Sequence, residues 1–305
     1  MGEIVQVSYL GKKHYGKSLI ENIDFRLKQK QALYICGPPG SGKSVLINIL
    51  SGVMKHDEGN LNILDNEIKE NREKIAKHIS CSWEKPELYG NMSIRDNLQF
   101  FSTLYGIPIR EGRQRINDLL KNFELFKLKD KWPSTCSQGV RKKVDLCRAL
   151  LVEPKLLLLD EPTAGLDKEG IKSLIEELTG LKHKGSSIII SGQDIAPFEE
   201  IIDEILLLKN GKKVMFQSKK TILERRMKVV IVKPKNIDDA QKFKEVRGIR
   251  DVKIVSDVIH LRVDENACSV ERIVEICDEN NIKVDGIMIK NPSLENAVEE
   301  VLLND

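Results

Sequence analysis

Residues 32–44 read A-L-Y-I-C-G-P-P-G-S-G-K-S. The first five, Ala32–Cys36, are an apolar run that predicts a buried strand. The strand runs straight into Gly37, Pro38, Pro39, Gly40, Ser41, Gly42, Lys43 and Ser44, which fit G-x-x-x-x-G-K-[ST]. Glycines let such a loop fold tightly, so that its N–H groups point inward at phosphate oxygens. A helix starting near Lys43 adds the positive end of its dipole. Lys43 then neutralises the outer phosphates of a nucleoside triphosphate, and the Ser44 hydroxyl ligates Mg²⁺. The alternative is a glycine-rich turn with a chance match. Its position after a buried strand and before a helix speaks against that.

A complementary element follows at 156–161, L-L-L-L-D-E. Four leucines predict a second buried strand, and Asp160 emerges at its carboxyl end, where open α/β sheets bind ligands. Asp160 then joins the Mg²⁺ shell, and Glu161 polarises the attacking water. An acidic strand end that merely caps the next helix is the plainer reading. A third strand, 188–190, ends in Ser191-Gly192 and delivers Gln193 to the mouth of the sheet. Helix 171–183 links strands two and three, which predicts a parallel crossover. Strands 205–208 and 213–217 form a late hairpin around Asn210-Gly211. Residues 93–130 and 137–152 carry helical apolar spacing.

These elements predict an α/β fold: a doubly wound P-loop NTPase core over 1–217, with a helical subdomain at about 93–152. A linker is expected at 218–226. Residues 227–305 then read strand, helix, strand, strand, helix, strand and a closing helix. That is the order of a small ferredoxin-like α+β domain.

Composition narrows the function classes. A formal net charge of only +3, with no long basic block, argues against nucleic acid as a partner. The six cysteines make no C-x-x-C and no zinc spacing, so they read as free thiols in a reducing compartment. No apolar run is long enough to cross a bilayer. A cytoplasmic chain is expected, with any membrane supplied by a partner.

Ser137-Gln138-Gly139, then Arg148-Ala149-Leu150, Glu153-Pro154 and LLLLDEPTAGLD resemble the ATP-binding subunit of ABC transporters over residues 1 to about 217. The resemblance implies an Mg-ATP-dependent ATPase whose two nucleotide domains close head to tail, sandwiching ATP. Ser137 and Gly139 then face the phosphates of the opposite domain. Tyr15 is similar to the aromatic residue that stacks on adenine, although a tyrosine in a strand turn would look the same. Asp167 looks like the residue that crosses the dimer interface, and it also suits a helix N-cap. A polytopic membrane permease is the implied partner. It docks near residues 83–100, which places the chain peripherally on the inner face of the cell membrane.

Three positions depart from the family pattern. Glu84 stands where glutamine is expected; it can still ligate Mg²⁺ but adds negative charge, unless it only faces solvent. Gln138 replaces a signature glycine, which puts tight closure in doubt. Gln193 replaces a histidine; it can donate a hydrogen bond but carries no positive charge. Good Mg-ATP binding with slow hydrolysis is therefore expected. The tail, KNPSLENAVEEVLLND, looks like that of ATPase subunits of drug- and lipid-exporting transporters. An ATP-gated regulatory subunit, paired with itself or with a more active ATPase, is the second reading. A soluble ABC-type ATPase outside transport is the third.

Overall fold

The computed structural model describes residues 2–224, 228–244, 246–263, 268–290 and 294–304. Residues 291–293 and 305 of the tail stretch, residues 225 and 226 of the expected linker and residue 227 of the expected second domain lie outside them. The chain divides into two compact units, Met1–Lys219 and Lys220–Asn304.

The first unit opens with strands β1 (Glu3–His14) and β2 (Lys17–Lys28), then β3 (Ala32–Cys36) and helix α1 (Lys43–Leu50). Next come β4 (Glu58–Ile63), β5 (Asn66–Glu67), α2 (Ile68–Ala76) and β6 (Ile79–Ser82). Helices α3 (Ile94–Leu104), α4 (Ile109–Asn122) and α5 (Gln138–Ala149) precede β7 (Leu156–Asp160), α6 (Lys168–Lys184) and β8 (Ser187–Ser191). Strands β9 (Glu204–Lys209) and β10 (Lys212–Ser218) close the unit, and a short helix, α7 (Lys219–Glu224), follows.

The central sheet has the order β10-β9-β3-β8-β7-β6. Five of its strands run parallel and β10 is an antiparallel edge. Strands β3, β7 and β8 are buried along their whole length, as continuous apolar runs require in a sheet covered on both faces. Their carboxyl ends therefore share one rim, and three of the candidate site segments leave from it.

A separate antiparallel sheet, β2-β1-β4-β5, packs its apolar residues into the same core as β3 and α1. The helical stretch expected at 93–130 is broken. Gly106 takes a left-handed φ of 74° and Pro108 caps α4, so the chain breaks into two helices, α3 and α4, that pack against each other. A 3₁₀ turn at Phe126–Leu128 follows in place of more α-helix.

The second unit runs β11 (Lys228–Pro234), α8 (Ala240–Phe243), β12 (Ile249–Val255), β13 (Val258–Val263), α9 (Val270–Glu279), β14 (Val284–Lys290) and α10 (Leu294–Asn304). Its antiparallel sheet has the order β12-β13-β11-β14, the ferredoxin-like arrangement. Val230, Val232, Ile259, Leu261, Ile273 and Ile276 form its core.

His56, between α1 and β4, is only 4% exposed, and its Nε2 has no hydrogen-bond partner among the described residues. Burial pushes its pKa below the ordinary 6.5, with Lys69 acting the same way. The unfolded chain therefore binds a proton more readily than the folded one. The stability His56 contributes is present above about 6.5 and is lost as pH falls through that value. We expect thermal melts of the wild type to lose stability from about pH 7.5 to about 5.5, and His56→Leu to flatten that slope. An unchanged slope in the variant would refute the assignment.

Candidate nucleotide site

Phosphate loop geometry is set by close packing. An added Cβ at Gly37 would lie 2.1 Å from the Leu208 carbonyl oxygen, and one at Gly42 would lie 2.6 Å from Ile20 Cγ2. Gly42 is also the N-cap of α1, at a left-handed φ of 100°. No other residue fits either position without strain. Pro38 O accepts from the Ser41 amide at 3.2 Å, which closes the turn. The Ser41 hydroxyl is buried and has no hydrogen-bond partner among the described residues, so it is available to a phosphate oxygen. Lys43 Nζ donates to Gly37 O at 2.8 Å and to Pro38 O at 3.3 Å, which holds the ammonium over the loop. Cys36, just before the loop, is no nucleophile: burial pushes its thiol pKa up to about 12.

Strand β7 brings Asp160 to the loop. Ser44 Oγ donates to Asp160 Oδ1 at 3.2 Å, and Ser191 Oγ at the end of β8 donates to the same oxygen. Two hard oxygen donors thus converge at the head of α1, a set that fits Mg²⁺. Among the described residues no cluster of three His, Cys, Asp or Glu could hold a metal alone. Phosphate oxygens would have to complete the shell, as they commonly do for Mg²⁺.

Glu161 has a left-handed φ of 44°. Its amide donates to Ser191 O at 3.0 Å, and its carbonyl accepts from the Ala164 amide at 3.2 Å. This strained turn at the strand end aims the carboxylate at the loop. Its Oε1 lies 4.0 Å from Lys43 Nζ. Burial pushes the carboxyl pKa up; Lys43 opposes this, while Asp160 and Glu84 add to it.

A cavity of about 500 Å³ joins these parts. The loop residues Pro39 to Ser44 line it, together with Glu84, Glu161 and Gln193. Both Glu84 and Gln193 are exposed at its edge. Gly37, Pro38 and Asp160 sit next to the lining residues without lining the cavity themselves, and Tyr15, Ser137, Gly139 and Asp167 do not line it either. Tyr15 is 96% exposed at the tip of the β1–β2 hairpin, where Tyr15 and Gly16 take φ of 46° and 77°, as in a type I′ turn. Ser137 caps α5, accepting from the Val140 amide at 3.3 Å. Asp167 caps α6, accepting from the Gly170 amide at 2.8 Å, and pairs with Lys143 Nζ at 2.9 Å. Gly139 has its own packing reason, since an added Cβ would lie 2.4 Å from Gly165 O.

Lys142 is a residue that pattern reading passed over. Only 1% exposed on α5, it donates to Trp83 O at 2.5 Å and to Asp160 O at 3.1 Å. Burial pushes its pKa down, and Asp145, Asp160, Glu161 and Glu84 oppose that shift. Close by, fully buried Asp145 accepts from Ser82 Oγ at 2.7 Å and from Arg148 Nε at 2.9 Å. Arg148 also donates to Cys81 O at 2.9 Å and lies over the Phe101 ring. A groove of about 510 Å³ opens there, lined by Trp83, Pro86, Glu87, Leu88, Tyr89, Phe101 and Arg148. The only hint in the sequence was two lysines and an aspartate on a segment that must pack against the core.

Known proteins share this arrangement. The ABC transporter family model matches residues 20–164. The chain is 31% identical over 221 residues to the uncharacterized ABC transporter ATP-binding protein YhcH of Bacillus subtilis (strain 168), covering 72% of each chain. It is 27% identical over 294 residues to the linearmycin resistance ATP-binding protein LnrL of the same organism, covering 93% of this chain and 94% of that one. A solved ATP-binding subunit of an ABC transporter superimposes with a TM-score of 0.68 at 26% identity, over 73% of this chain and 92% of that one. With a phosphate loop, strand-end carboxylates and relatives matched nearly end to end, this chain belongs to the ATP-binding proteins of the ABC transporter family.

Proposed function

We propose that this chain energises a membrane exporter, hydrolysing ATP slowly as one half of a nucleotide-closed dimer. One observation carries the reading: a single cavity joins the phosphate loop, Glu161, Glu84 and Gln193. In this mechanism the inward N–H groups of the loop and Lys43 bind the β- and γ-phosphates. Ser44 and Asp160 would hold Mg²⁺, which when bound neutralises charge developing on the phosphate oxygens. Glu161 accepts a hydrogen bond from the attacking water and orients it. Its raised pKa moves it toward the range useful for a base. Gln193 donates a neutral hydrogen bond, and Glu84 adds negative charge beside the reaction. Both features slow turnover.

Ser137, Gly139 and Asp167 do not line the cavity of their own chain, which supports roles toward a second nucleotide domain, either a copy or a related ATPase. The groove at Trp83, Tyr89, Phe101 and Arg148 mixes aromatic rings with the charged Glu87 and Arg148, a lining suited to an amphipathic helix of a permease. No described helix is long and apolar enough to cross a membrane. The exporter assignment leans on the end-to-end match to a resistance protein, which includes the second unit.

The test is phosphate release from purified protein with Mg-ATP, beside equilibrium ATP binding. Gln193→His is expected to raise turnover by roughly 10- to 1000-fold, the scale of one positioned charge or donor. ATP affinity no better than millimolar would remove the nucleotide-binding reading. Binding with no release, in wild type and variant alike, would favour the ATP-gated regulatory role.

A further inference from the structure

Gln193 sits on a loop, and the loop needs something to hold it. That something lies one strand away. Tyr34 is the middle residue of β3, fully buried, and its hydroxyl donates to Asp194 O at 2.7 Å. The contact crosses from the strand before the phosphate loop to the residue after Gln193. The ring packs at 5.8 Å on Phe198, which is buried at the far end of the same loop. Gly192, on the near side, has no room to move inward: an added Cβ would lie 2.4 Å from the Tyr34 hydroxyl. The same point would lie 3.7 Å from Glu161 Oε2, so this side of the loop faces the carboxylate. The Gly192 amide donates to Ile35 O at 3.1 Å, and Asp194 Oδ1 accepts from the Ala196 amide at 3.0 Å.

We propose that Tyr34 is a positioning residue for hydrolysis: its hydroxyl pins the 192–198 loop and so fixes Gln193 beside Glu161. A phenylalanine would keep the ring packing on Phe198; what tyrosine adds is a hydroxyl that donates to a loop bordering the reaction. The inference rests on the ATPase reading given above, but it concerns a residue that touches neither nucleotide nor metal.

Tyr34→Phe removes one oxygen and keeps the ring. In the full chain, with Mg-ATP, it is expected to lower kcat about 3- to 10-fold, the worth of one net hydrogen bond, with KM changed less than about twofold. A merely structural role would cost the same in any background. Here the loss should vanish in Gln193→Ala, because the pin then has nothing to position. Hydrogen exchange gives a second readout that does not need turnover. Amides of 192–198 should exchange faster in Tyr34→Phe, by a similar factor, while those of β3 and β8 stay protected. A kcat loss that persists undiminished in Gln193→Ala overturns the proposal, and so does unchanged loop exchange. A wild type that binds ATP yet releases no phosphate would overturn the hydrolysis reading alone. The exchange comparison then decides for or against the pin.

Discussion

Glu161→Gln is expected to cut steady-state phosphate release by about 10²- to 10⁴-fold, the usual contribution of a positioned general base. ATP affinity should hold within a few-fold or improve. Glutamine keeps the shape of the side chain and removes its charge. The wild-type carboxylate stands beside Asp160 and Glu84, both of which raise its pKa, and 4.0 Å from Lys43. Losing one carboxylate lowers the negative charge facing the phosphates, so binding does not suffer while the base is gone. Phosphate release and equilibrium binding, measured on the same preparation, separate the two effects. Turnover within threefold of wild type would transfer the base role to another group, with Glu84 next in line.

The second large effect is on stability. Asp145→Ala should destabilise the first unit by about 3–5 kcal/mol, because it strands a buried guanidinium. Arg148 is 8% exposed and donates to Asp145 through both Nε and a terminal nitrogen. Ser82 Oγ loses its acceptor as well. For a unit of this size the melting temperature should fall by roughly 6–20 °C. The double variant Asp145→Ala, Arg148→Leu should recover part of the loss, since no unpaired charge is left. A double variant less stable than the single one would mean that Arg148 matters chiefly through its contacts with Cys81 O and Phe101.

Much of this molecule is written locally, and some of it is not. The phosphate loop is legible because its chemistry requires particular residues in particular places, and Gly37 and Gly42 meet that need. Strands β3, β7 and β8 are legible as unbroken apolar runs. The order of the second unit is legible because its strands and helices are short and bounded by turn residues. The β1–β2 hairpin is harder. Its register shifts four times, and Tyr9 takes a left-handed φ of 51°, so no steady alternation runs along the sequence. The break between α3 and α4 was signalled by Gly106 and Pro108 but masked by helical spacing on both sides.

Side-chain partners at the site divide in the same way. Asp160 and Glu161 follow from their place at a strand end. Lys142 does not, because a lysine in a polar-looking helix segment reads as solvent-facing until the packing is known. Tyr34 likewise passes for an ordinary core residue, since nothing local says where its hydroxyl ends.

Lys142 turns three separate pieces of chain into one mechanical linkage. Its ammonium holds Trp83 O at the start of the loop behind Glu84 and Asp160 O at the end of β7, from a helix capped by Ser137. Neither carbonyl can leave without breaking a charge-assisted hydrogen bond of about 1.5–3 kcal/mol. A displacement of the Trp83 loop or of the β7 end would each strain a hydrogen bond to the same ammonium. One ammonium thus ties the start of that loop, the end of β7 and helix α5 at a single point.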